Sequence, residues 1–307
     1  MSIQTVPKIW MDGELVDWAD AKVHVLTHTL HYGMGAFEGI RAYETERGAG
    51  IFRLTDHMRR LLDSAKILMI ESPFSLEELV QATKLTMRAN DITTAYIRPL
   101  LYLGYGEMGL NPLPCPVNVS IAMWPWGSYL GDEGILNGIS AKISTWQRHD
   151  PNAMPPAAKG VGMYVNSSLA KMEAVKAGYD EAILLNPQGL VSECTGENIF
   201  VVHDGVMITP PASAGALEGI TKDSVVRIAR DNGIEVREGN LLRSDLYTAD
   251  EVFLTGTAAE VVPVASVDDR AVASGKPGPL TRLIQENYDA AVRGRLEQYA
   301  DWVEYVD

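Results

Sequence analysis

Two spacings of apolar residues occur along this chain, and together they restrict it to folds that mix helices and strands. In 55–69 and 75–90 apolar residues recur every three or four positions, as on the buried face of a helix. In 94–104 the side chains alternate between two faces instead, which predicts a strand. Further helices and strands follow without a strict βα order, so we predict an α+β fold.

Local signals refine this prediction. Asp12-Gly13 predicts the turn of a hairpin within 8–17, and Ser75 with Glu78 forms a capping box at the start of a helix. The other predicted elements are strands at 117–123, 139–146, 181–185, 199–203 and 206–209 and helices at 165–177, 221–232 and 280–299.

The segment 124–134 is rich in proline, glycine and tryptophan, which is typical of a linker. We therefore predict a small N-terminal domain (1–124), an interdomain loop (125–134) and a large C-terminal domain (135–307). A chain of 307 residues is long enough for two such domains, each with its own core.

Charge and cysteine usage exclude several classes of function. The chain has 40 acidic and 26 basic residues and a net charge of −14, so it would repel nucleic acid and anionic lipid. An uncharged stretch at 108–131 contains four prolines and cannot form a membrane-spanning helix. The chain has only two cysteines, and they lack the spacing of metal ligands, which favours a reducing compartment. The N-terminal residues contain no apolar run of the kind found in signal peptides, so we predict a cytoplasmic protein.

Common catalytic motifs are missing from the sequence. It contains no glycine-rich dinucleotide or P-loop signature, no nucleophile elbow and no zinc-protease motif. His24, His28 and His31 have a metal-like spacing, but Thr27 and Thr29 lie between them and no carboxylate does. We therefore expect ordinary polar contacts near a turn and no metal site.

Two segments of the N-terminal half indicate a ligand site. Residues 32–41 place three glycines between Tyr32 and Arg41, which lets the backbone approach a ligand between aromatic walls, although a glycine-rich turn with core aromatics has the same pattern. In 95–99, Tyr96 and Arg98 share one face of an apolar strand. A half-buried guanidinium needs an anion, which is either a carboxylate of the protein or an anionic substrate.

Two further segments carry reactive groups. Lys159 follows prolines and alanines with no acid nearby, a setting that favours an amine able to form a Schiff base, although lysines near prolines are often solvated. Tyr164 follows closely enough to share its site. Glu193 and Glu197 precede an apolar strand, where an acid can pair with a protonated ring nitrogen; the alternative is a surface turn with both acids in water.

A fifth segment predicts an anion site. In 216–223 a glycine and a threonine begin a helix, whose first N–H groups and dipole attract phosphate, although an ordinary capped helix has the same residues. Small residues at 254–259 end a strand and provide a second turn of this kind.

Taken together, these segments resemble the class IV aminotransferases, which are fold-type IV pyridoxal-phosphate enzymes, and specifically their branched-chain amino-acid group. The resemblance runs from about residue 9 to the C-terminal helix and keeps the family order of the motifs. It implies two domains that contain helices and strands, with the cofactor site at their interface.

The resemblance implies a role for each matching residue. Lys159 would bind pyridoxal 5′-phosphate covalently and then act as the catalytic acid and base, Glu193 would pair with the pyridine nitrogen, and Tyr164 would bond to the ring's phenolic oxygen. Arg60, chosen over the adjacent Arg59 by alignment, would bind the phosphate. The remaining cofactor-binding positions are Asn198, Leu217, Gly219, Ile220, Thr221, Gly256 and Thr257.

The same resemblance implies a substrate pocket that accepts both an apolar side chain and glutamate. Tyr96 with Thr257 and Ala258 would hold the α-carboxylate. Phe37, Trp126, Tyr129 and Tyr164 would form the apolar wall, and Arg98 with Tyr32 and Tyr129 would bind the γ-carboxylate of glutamate. Gly39, Met108 and Leu110 complete the predicted pocket.

The predicted function is therefore transamination of L-leucine, L-isoleucine and L-valine with 2-oxoglutarate by a ping-pong mechanism. The alternative on the same fold is a D-amino-acid or (R)-amine transaminase. In the family the equivalents of Tyr32, Met108 and Leu110 reach across from a second subunit. The resemblance thus implies an obligate homodimer, which a trimer of dimers would also contain.

Overall fold

The helical and alternating patterns become helices and strands in a computed structural model, which describes residues 3–127 and 131–306. The strands within these ranges are β1 (Lys8–Met11), β2 (Glu14–Asp17), β3 (Gly35–Phe37), β4 (Ile40–Thr45), β5 (Gly48–Phe52), β6 (Ala95–Leu103), β7 (Val117–Trp124), β8 (Ile139–Ile143), β9 (Glu181–Leu185), β10 (Val191–Cys194), β11 (Asn198–His203), β12 (Val206–Thr209), β13 (Val236–Glu238), β14 (Glu251–Gly256), β15 (Glu260–Val267), β16 (Arg270–Ala271) and β17 (Val303–Tyr305). The α-helices are α1 (His28–Tyr32), α2 (Leu54–Ile67), α3 (Leu76–Asn90), α4 (Gly131–Asn137), α5 (Tyr164–Lys176), α6 (Ile220–Asp231), α7 (Arg243–Tyr247) and α8 (Pro279–Val292).

The described chain divides into two compact units. The first unit comprises the chain through Trp126 together with Ala158–Met163 and the residues from Ala290 onward. The second unit comprises Gly127–Ala157 and Tyr164–Asp289. The two units are defined by which residues contact one another, and each contains segments from separate parts of the chain. The predicted division into domains 1–124 and 135–307 stays a prediction.

The first unit is built on an antiparallel sheet in the order β17-β5-β4-β6-β7-β1-β2, with β3 also paired to β6. Both β3 and β4 pair with β6, and Glu38 and Gly39 lie between them. Pro99 faces this break and has no N–H to donate, but its carbonyl accepts the Glu38 N–H (2.9 Å). The amphipathic helices α2 and α3 bury their apolar faces against this sheet.

The N-terminus of α2 depends on β17, which follows it far along the chain. Val303 pairs with Phe52 just before the helix, and the Arg53 N–H donates to the Trp302 carbonyl (2.6 Å). The Thr55 N–H in the first turn donates to the Glu304 carboxylate (2.7 Å). A carboxylate at this end of a helix satisfies an N–H that has no partner within the helix.

The second unit is built on a mixed sheet in the order β10-β9-β8-β15-β14-β11-β12-β13, with β16 paired to β15. Three of its pairings are parallel: β8 with β9, β8 with β15, and β12 with β13. The other pairings are antiparallel, so this unit mixes the two strand directions, as an α+β fold does.

Two predicted elements are shorter than expected. The strand predicted to reach 146 ends at Ile143, because the next two residues bond to a side chain. The Glu173 carboxylate accepts hydrogen bonds from the Ser144 hydroxyl (2.9 Å) and the Thr145 N–H (3.1 Å). The helix predicted for 280–299 ends at Val292. Gly294 follows it at φ +67°, a left-handed conformation that ends a helix and suits glycine.

No helix in the described part of the chain is long and apolar enough to cross a bilayer.

The capping box predicted from sequence is present at α3 and provides a test of the fold. The Ser75 hydroxyl accepts the Glu78 N–H (3.3 Å), and the Glu78 carboxylate accepts the Ser75 N–H (2.7 Å). Ser75→Ala should lower the free energy of unfolding by about 1 kcal/mol, the usual contribution of an N-cap. Urea unfolding curves of Ser75→Ala and of Ser75→Asp, which keeps a capping oxygen, measure this; equal losses in the two variants would refute the capping role.

Candidate active site

Lys159 lies on a short stretch of chain that pairs with β3. The Phe37 N–H donates to the Lys159 carbonyl (3.1 Å), and the Val161 N–H donates to the Gly35 carbonyl (2.9 Å). On the other side, the Lys159 N–H donates to the Ser64 hydroxyl on α2 (3.0 Å). The main chain of Lys159 is therefore held by a strand and a helix of the first unit.

This pairing brings the Lys159 amine to an aromatic ring. Its Nζ lies 5.1 Å from the centre of the Phe37 ring, and the Arg98 guanidinium lies 4.9 Å from the same ring centre. Arg98 also donates a hydrogen bond to the Tyr96 hydroxyl (3.2 Å). The register of β6 confirms that Tyr96 and Arg98 share one face of the sheet.

Arg98 has no carboxylate partner in residues 3–127 and 131–306. Its Nε is buried and makes no hydrogen bond to any of these residues. A guanidinium N–H that is shielded from water and left unsatisfied is costly. Of the two partners predicted for Arg98, an anion from outside the chain is therefore the one that this geometry favours.

Gly39 and two tryptophans complete this face around Tyr96. A methyl group on Gly39 would overlap the Tyr96 hydroxyl, so only glycine leaves that hydroxyl its position. The Tyr96 ring lies 5.0 Å from Trp126 and 5.3 Å from Trp124, between ring centres. The face is thus aromatic around its two cationic groups, Lys159 and Arg98.

A buried ionic cluster lies on the opposite face of the same sheet. Alternation turns the Glu38 side chain away from Phe37 and into the core, where it is 0% exposed. Arg60 on α2 donates to it through Nε (2.6 Å) and Nη2 (2.9 Å), and His57 Nδ1 lies 2.8 Å from the same carboxylate. The Gly39 N–H donates to it as well (3.2 Å).

The protonation states within this cluster follow from burial and charge. Burial by itself would raise the pKa of Glu38, but the Arg60 charge and the His57 contact outweigh it, and the pKa lies well below its ordinary value. Burial lowers the pKa of His57 despite the neighbouring carboxylate, and the charges of Arg60 and Lys159 lower it further. At neutral pH Glu38 is therefore ionised and His57 neutral, with its proton on Nδ1.

The two adjacent arginines of α2 have different environments. The Arg60 side chain is 15% exposed and paired with Glu38, which directly follows Phe37. The Arg59 side chain is 56% exposed and paired with Asp56 on the surface (2.8 Å). Of the two, Arg60 is therefore the arginine held inside the first unit, and its role as the phosphate ligand stays a prediction.

In the second unit, Glu193 on β10 is a buried carboxylate with several donors. Arg148 Nη2 lies 2.7 Å from its Oε1, and the Leu217 N–H donates to its Oε2 (2.8 Å). The Asn198 amide also donates to Oε2 (3.4 Å) and bonds to the Leu217 carbonyl (2.8 Å). Glu193 and Glu197 are 6% and 5% exposed, so the alternative of a surface turn in water is wrong.

Close packing joins these residues to the start of α6. A side chain at Gly219 would overlap the Asn198 amide oxygen. Gly219 is the N-cap of α6 and offers no side-chain cap to the first N–H groups of the helix, next to the buried residues Ile220 and Thr221. A helix N-terminus without a side-chain cap suits an anion, as predicted for this segment.

Glu197 lies beside two further buried acids. Burial and the Glu181 charge raise the pKa of Glu197 to about 8, although Lys171 opposes the shift. Lys171 itself pairs with Glu181 (2.6 Å), which also accepts the Thr195 hydroxyl (2.5 Å). Glu197 is therefore protonated at neutral pH, whereas Glu181 forms the ion pair with Lys171.

The remaining predicted site residues lie elsewhere or outside the described ranges. Tyr32, Met108 and Leu110 are 41%, 45% and 90% exposed. Tyr129 lies outside the described residues. In the second unit Tyr164 begins α5, Gly256 ends β14, and Thr257 and Ala258 follow it, all half-buried.

Four functional candidates were missed from sequence: Arg148, Glu38, His57 and Ser64. Each contacts a predicted site residue or its direct neighbour, but through pairings of distant positions that no local spacing reveals. The one available signal was the helical spacing of His57, Arg60 and Ser64, which places all three on one face of α2.

No group of three histidine, cysteine or acidic side chains in the described ranges is arranged to bind a metal ion. The three N-terminal histidines bond to the backbone instead. His28 Nε2 lies 2.9 Å from the Gly109 carbonyl, His31 Nε2 lies 2.8 Å from the Val25 carbonyl, and His24 Nδ1 accepts the Leu26 N–H (3.1 Å).

The protonated Glu197 predicts how stability depends on pH. Between about pH 5 and 8 the folded protein keeps a proton that the unfolded chain releases, so this group's contribution to stability falls as pH rises. The free energy of unfolding can fall by at most about 1.4 kcal/mol per pH unit because of this one group. Glu197→Gln, which mimics the protonated acid, should flatten the thermal midpoint between pH 5 and 8. Glu14→Gln, at an exposed acid, is the control, and an unchanged slope in Glu197→Gln contradicts the assignment.

Comparisons with known proteins assign the chain to a family. Residues 35–267 match the model of the family described as amino-transferase class IV. A branched-chain-amino-acid aminotransferase of Pseudomonas aeruginosa is 47% identical over 294 residues, which cover 96% of this chain and 95% of that protein.

Solved structures agree with this match. The crystal structure of the Escherichia coli branched-chain amino acid aminotransferase is 47% identical, with a TM-score of 0.97 over 99% of this chain and all of that one. The T.th. enzyme of the same name, with pyridoxamine 5′-phosphate, is 50% identical, with a TM-score of 0.96 over 99% of each chain. Its complex with N-(5′-phosphopyridoxyl)-L-glutamate has a TM-score of 0.95 at 49% identity, over 98% of this chain and 99% of that one. This chain belongs to the class IV aminotransferase family.

Proposed function

We propose that this chain is a pyridoxal-phosphate-dependent branched-chain aminotransferase. It transfers the amino group of L-leucine, L-isoleucine or L-valine to 2-oxoglutarate, giving the branched 2-oxo acid and L-glutamate by a ping-pong mechanism. The observation that carries the proposal is Lys159, fixed through its main chain on an aromatic face that also holds the guanidinium of Arg98, whose Nε is unsatisfied. Family membership and the names of the 47% identical relatives support it.

The residues of each unit fit the cofactor. The first unit offers an amine whose backbone is hydrogen-bonded on both sides, and the second offers a buried carboxylate and a helix N-terminus without a side-chain cap. The T.th. relative is seen with pyridoxamine 5′-phosphate. When bound, the cofactor supplies an electron sink for the bonds at the substrate Cα.

Lys159 holds the cofactor through its amine and moves the proton between the substrate Cα and the cofactor C4′. Its main chain is held on two sides, because its N–H donates to the Ser64 hydroxyl and its carbonyl accepts the Phe37 N–H. Positioning of this kind lowers the entropic cost of reaching the geometry in which the groups react. The Phe37 ring lies beside the amine, 5.1 Å from its Nζ.

Glu193 presents a carboxylate oriented by Arg148 and the Leu217 N–H to the pyridine nitrogen and keeps a proton there. Arg60 binds the phosphate together with the N-terminus of α6, and Tyr164 bonds to the phenolic oxygen. The other cofactor positions are Asn198, Leu217, Gly219, Ile220, Thr221, Gly256 and Thr257.

Arg98 lets one pocket serve two substrates. Its unsatisfied Nε favours the γ-carboxylate of glutamate, while the aromatic rings around it accept a branched aliphatic side chain. Tyr96, Thr257 and Ala258 hold the α-carboxylate, and Gly39 leaves room for the Tyr96 hydroxyl. The other pocket residues are Tyr32, Phe37, Met108, Leu110, Trp126, Tyr129 and Tyr164.

A second copy of this chain completes the pocket in this proposal. Met108 and Leu110 are large apolar residues that are 45% and 90% exposed in the isolated chain, which is typical of an interface between subunits. We therefore propose a homodimer that acts in the cytoplasm. The D-amino-acid or (R)-amine alternative is not favoured, because the relatives are branched-chain enzymes by name.

The visible spectrum tests the cofactor and the substrate class together. The purified protein should be yellow, L-leucine alone should convert the band to the pyridoxamine form, and 2-oxoglutarate should restore it. Lys159→Ala should abolish turnover, because no neighbouring group replaces a covalent lysine. Turnover above a trace in Lys159→Ala contradicts the assignment, and bleaching by D-alanine but not by L-leucine would reverse the stereochemistry.

Arg98→Ala tests the dual pocket. It leaves the γ-carboxylate of glutamate buried and unpaired, so kcat/KM should fall by roughly 100-fold with glutamate but by less than about 10-fold with leucine. Arg237→Ala is the matched control, because Arg237 is an exposed arginine on β13. Equal losses with both substrates count against the role of Arg98.

A further inference from the structure

The carboxylate of Glu38 lies in the core and accepts four hydrogen bonds from residues of the first unit. Its two oxygens accept hydrogen bonds from Nε and Nη2 of Arg60, from Nδ1 of His57 and from the Gly39 N–H. Oε1 accepts one of these bonds and Oε2 accepts three, and the side chain is 0% exposed, so no substrate reaches it. Glu38 therefore cannot serve as an acid or base, and its contribution has to come through the residues that it holds.

The cost of placing this charge in the core indicates what it is for. Glu38 is 0% exposed, on the face that also carries the buried residues Ala36 and Ile40. A buried ion pair is often no more stabilising than apolar residues of the same volume. Stability alone therefore does not account for Glu38, whereas a demand for fixed geometry does.

Arg60 is the group whose geometry is fixed. Two parallel bonds from Nε and Nη2 to one carboxylate set the plane of a guanidinium as well as its position. His57 bonds to that carboxylate from the preceding turn of α2 and so prevents it from rotating. Arg59, by contrast, makes a single exposed contact with Asp56 and is not fixed in this way.

The same helix also fixes Lys159. Ser64 lies one turn beyond Arg60 on that face of α2 and accepts the Lys159 N–H. The main chain of Lys159 and the side chain of Arg60 are thus both positioned by this one helix. Neither residue would then be displaced far from its position relative to the other, which is the precision that catalysis requires.

From these contacts we infer that Glu38 is a positioning residue, which orients Arg60 for the phosphate of the cofactor. The inference rests on the proposed function, because it takes Arg60 as the phosphate ligand. The Glu38 and Arg60 charges cancel, and His57 is neutral, so Arg60 attracts phosphate through directed hydrogen bonds and not through net positive charge.

The sign of the effect in Glu38→Gln separates positioning from attraction. The variant raises the net charge beside the phosphate by one, so attraction alone predicts tighter binding. Positioning predicts weaker binding, because the amide nitrogen of glutamine would meet a donor of Arg60 or His57 and break the paired bonds. We expect the dissociation constant for pyridoxal 5′-phosphate to rise at least 10-fold.

The test compares two ligands that differ only in the phosphate. Cofactor loss from each holoenzyme is followed by absorbance, and rebinding is then measured with pyridoxal 5′-phosphate and with pyridoxal. In Glu38→Gln the first ligand should weaken at least 10-fold and the second less than 3-fold, because a merely structural defect would weaken both. Arg59→Gln, one residue from Arg60 on the exposed side, is the control and should change neither.

Arg60→Gln distinguishes the two layers of the proposal. If it leaves the preference for the phosphorylated ligand intact, Arg60 is not the phosphate ligand and the proposed assignment fails. If Arg60→Gln loses the preference while Glu38→Gln keeps or strengthens it, the inference about Glu38 is overturned. Glu38→Asp, which keeps the charge but is too short to reach both nitrogens of Arg60, should also weaken phosphate binding and replaces Glu38→Gln if that variant does not fold.

Discussion

The hydrogen bonds between the Lys159 segment and β3 are the contacts on which the rest of the first unit's chemistry depends. They add a short strand to an antiparallel sheet, so the side chain opposite Phe37 shares its face, and that side chain is Lys159. The same alternation sends Glu38 to the other face. One face of the sheet thereby carries the Lys159 amine beside the Phe37 ring, and the other carries the ionic contacts of Glu38 with Arg60 and His57.

Charge is handled in the same way in both units, by pairing within the interior. Glu38 meets Arg60, Glu193 meets Arg148, and Glu181 meets Lys171, each at 2.9 Å or less. Buried charges of one sign alone would be far too costly, and they would shift their pKa values until they were neutral. Among the described residues Glu197 has no such partner, and its raised pKa is the result. Arg98 differs from these arginines, because its Nε has no hydrogen-bond partner among the described residues.

Features that depend on neighbouring residues could be predicted from the sequence, and those that depend on distant pairs could not. The hairpin at Asp12-Gly13 and the capping box at Ser75 are confirmed because turn and cap chemistry is local. The contacts of Glu38 with His57 and of Lys159 with Ser64 join positions 19 and 95 residues apart, and no period in the sequence encodes them. Local chemistry indicated Lys159 and Glu193, and the resemblance to the family added Arg60 and a role for each. Neither gave a role to Arg148 or Glu38, which hold Glu193 and Arg60 in place.

The cap that β17 places on α2 has a consequence for the timing of folding during synthesis. Thr55 and its cap Glu304 are 249 positions apart in the chain. At 5–20 residues per second, the ribosome needs roughly 10–50 s to make that interval. Helix α2, with His57, Arg60 and Ser64, therefore waits tens of seconds for its N-terminal partner. The N-terminal turn of this helix is thus completed only after the C-terminal strand has been made, although the helix itself is among the first elements to be translated.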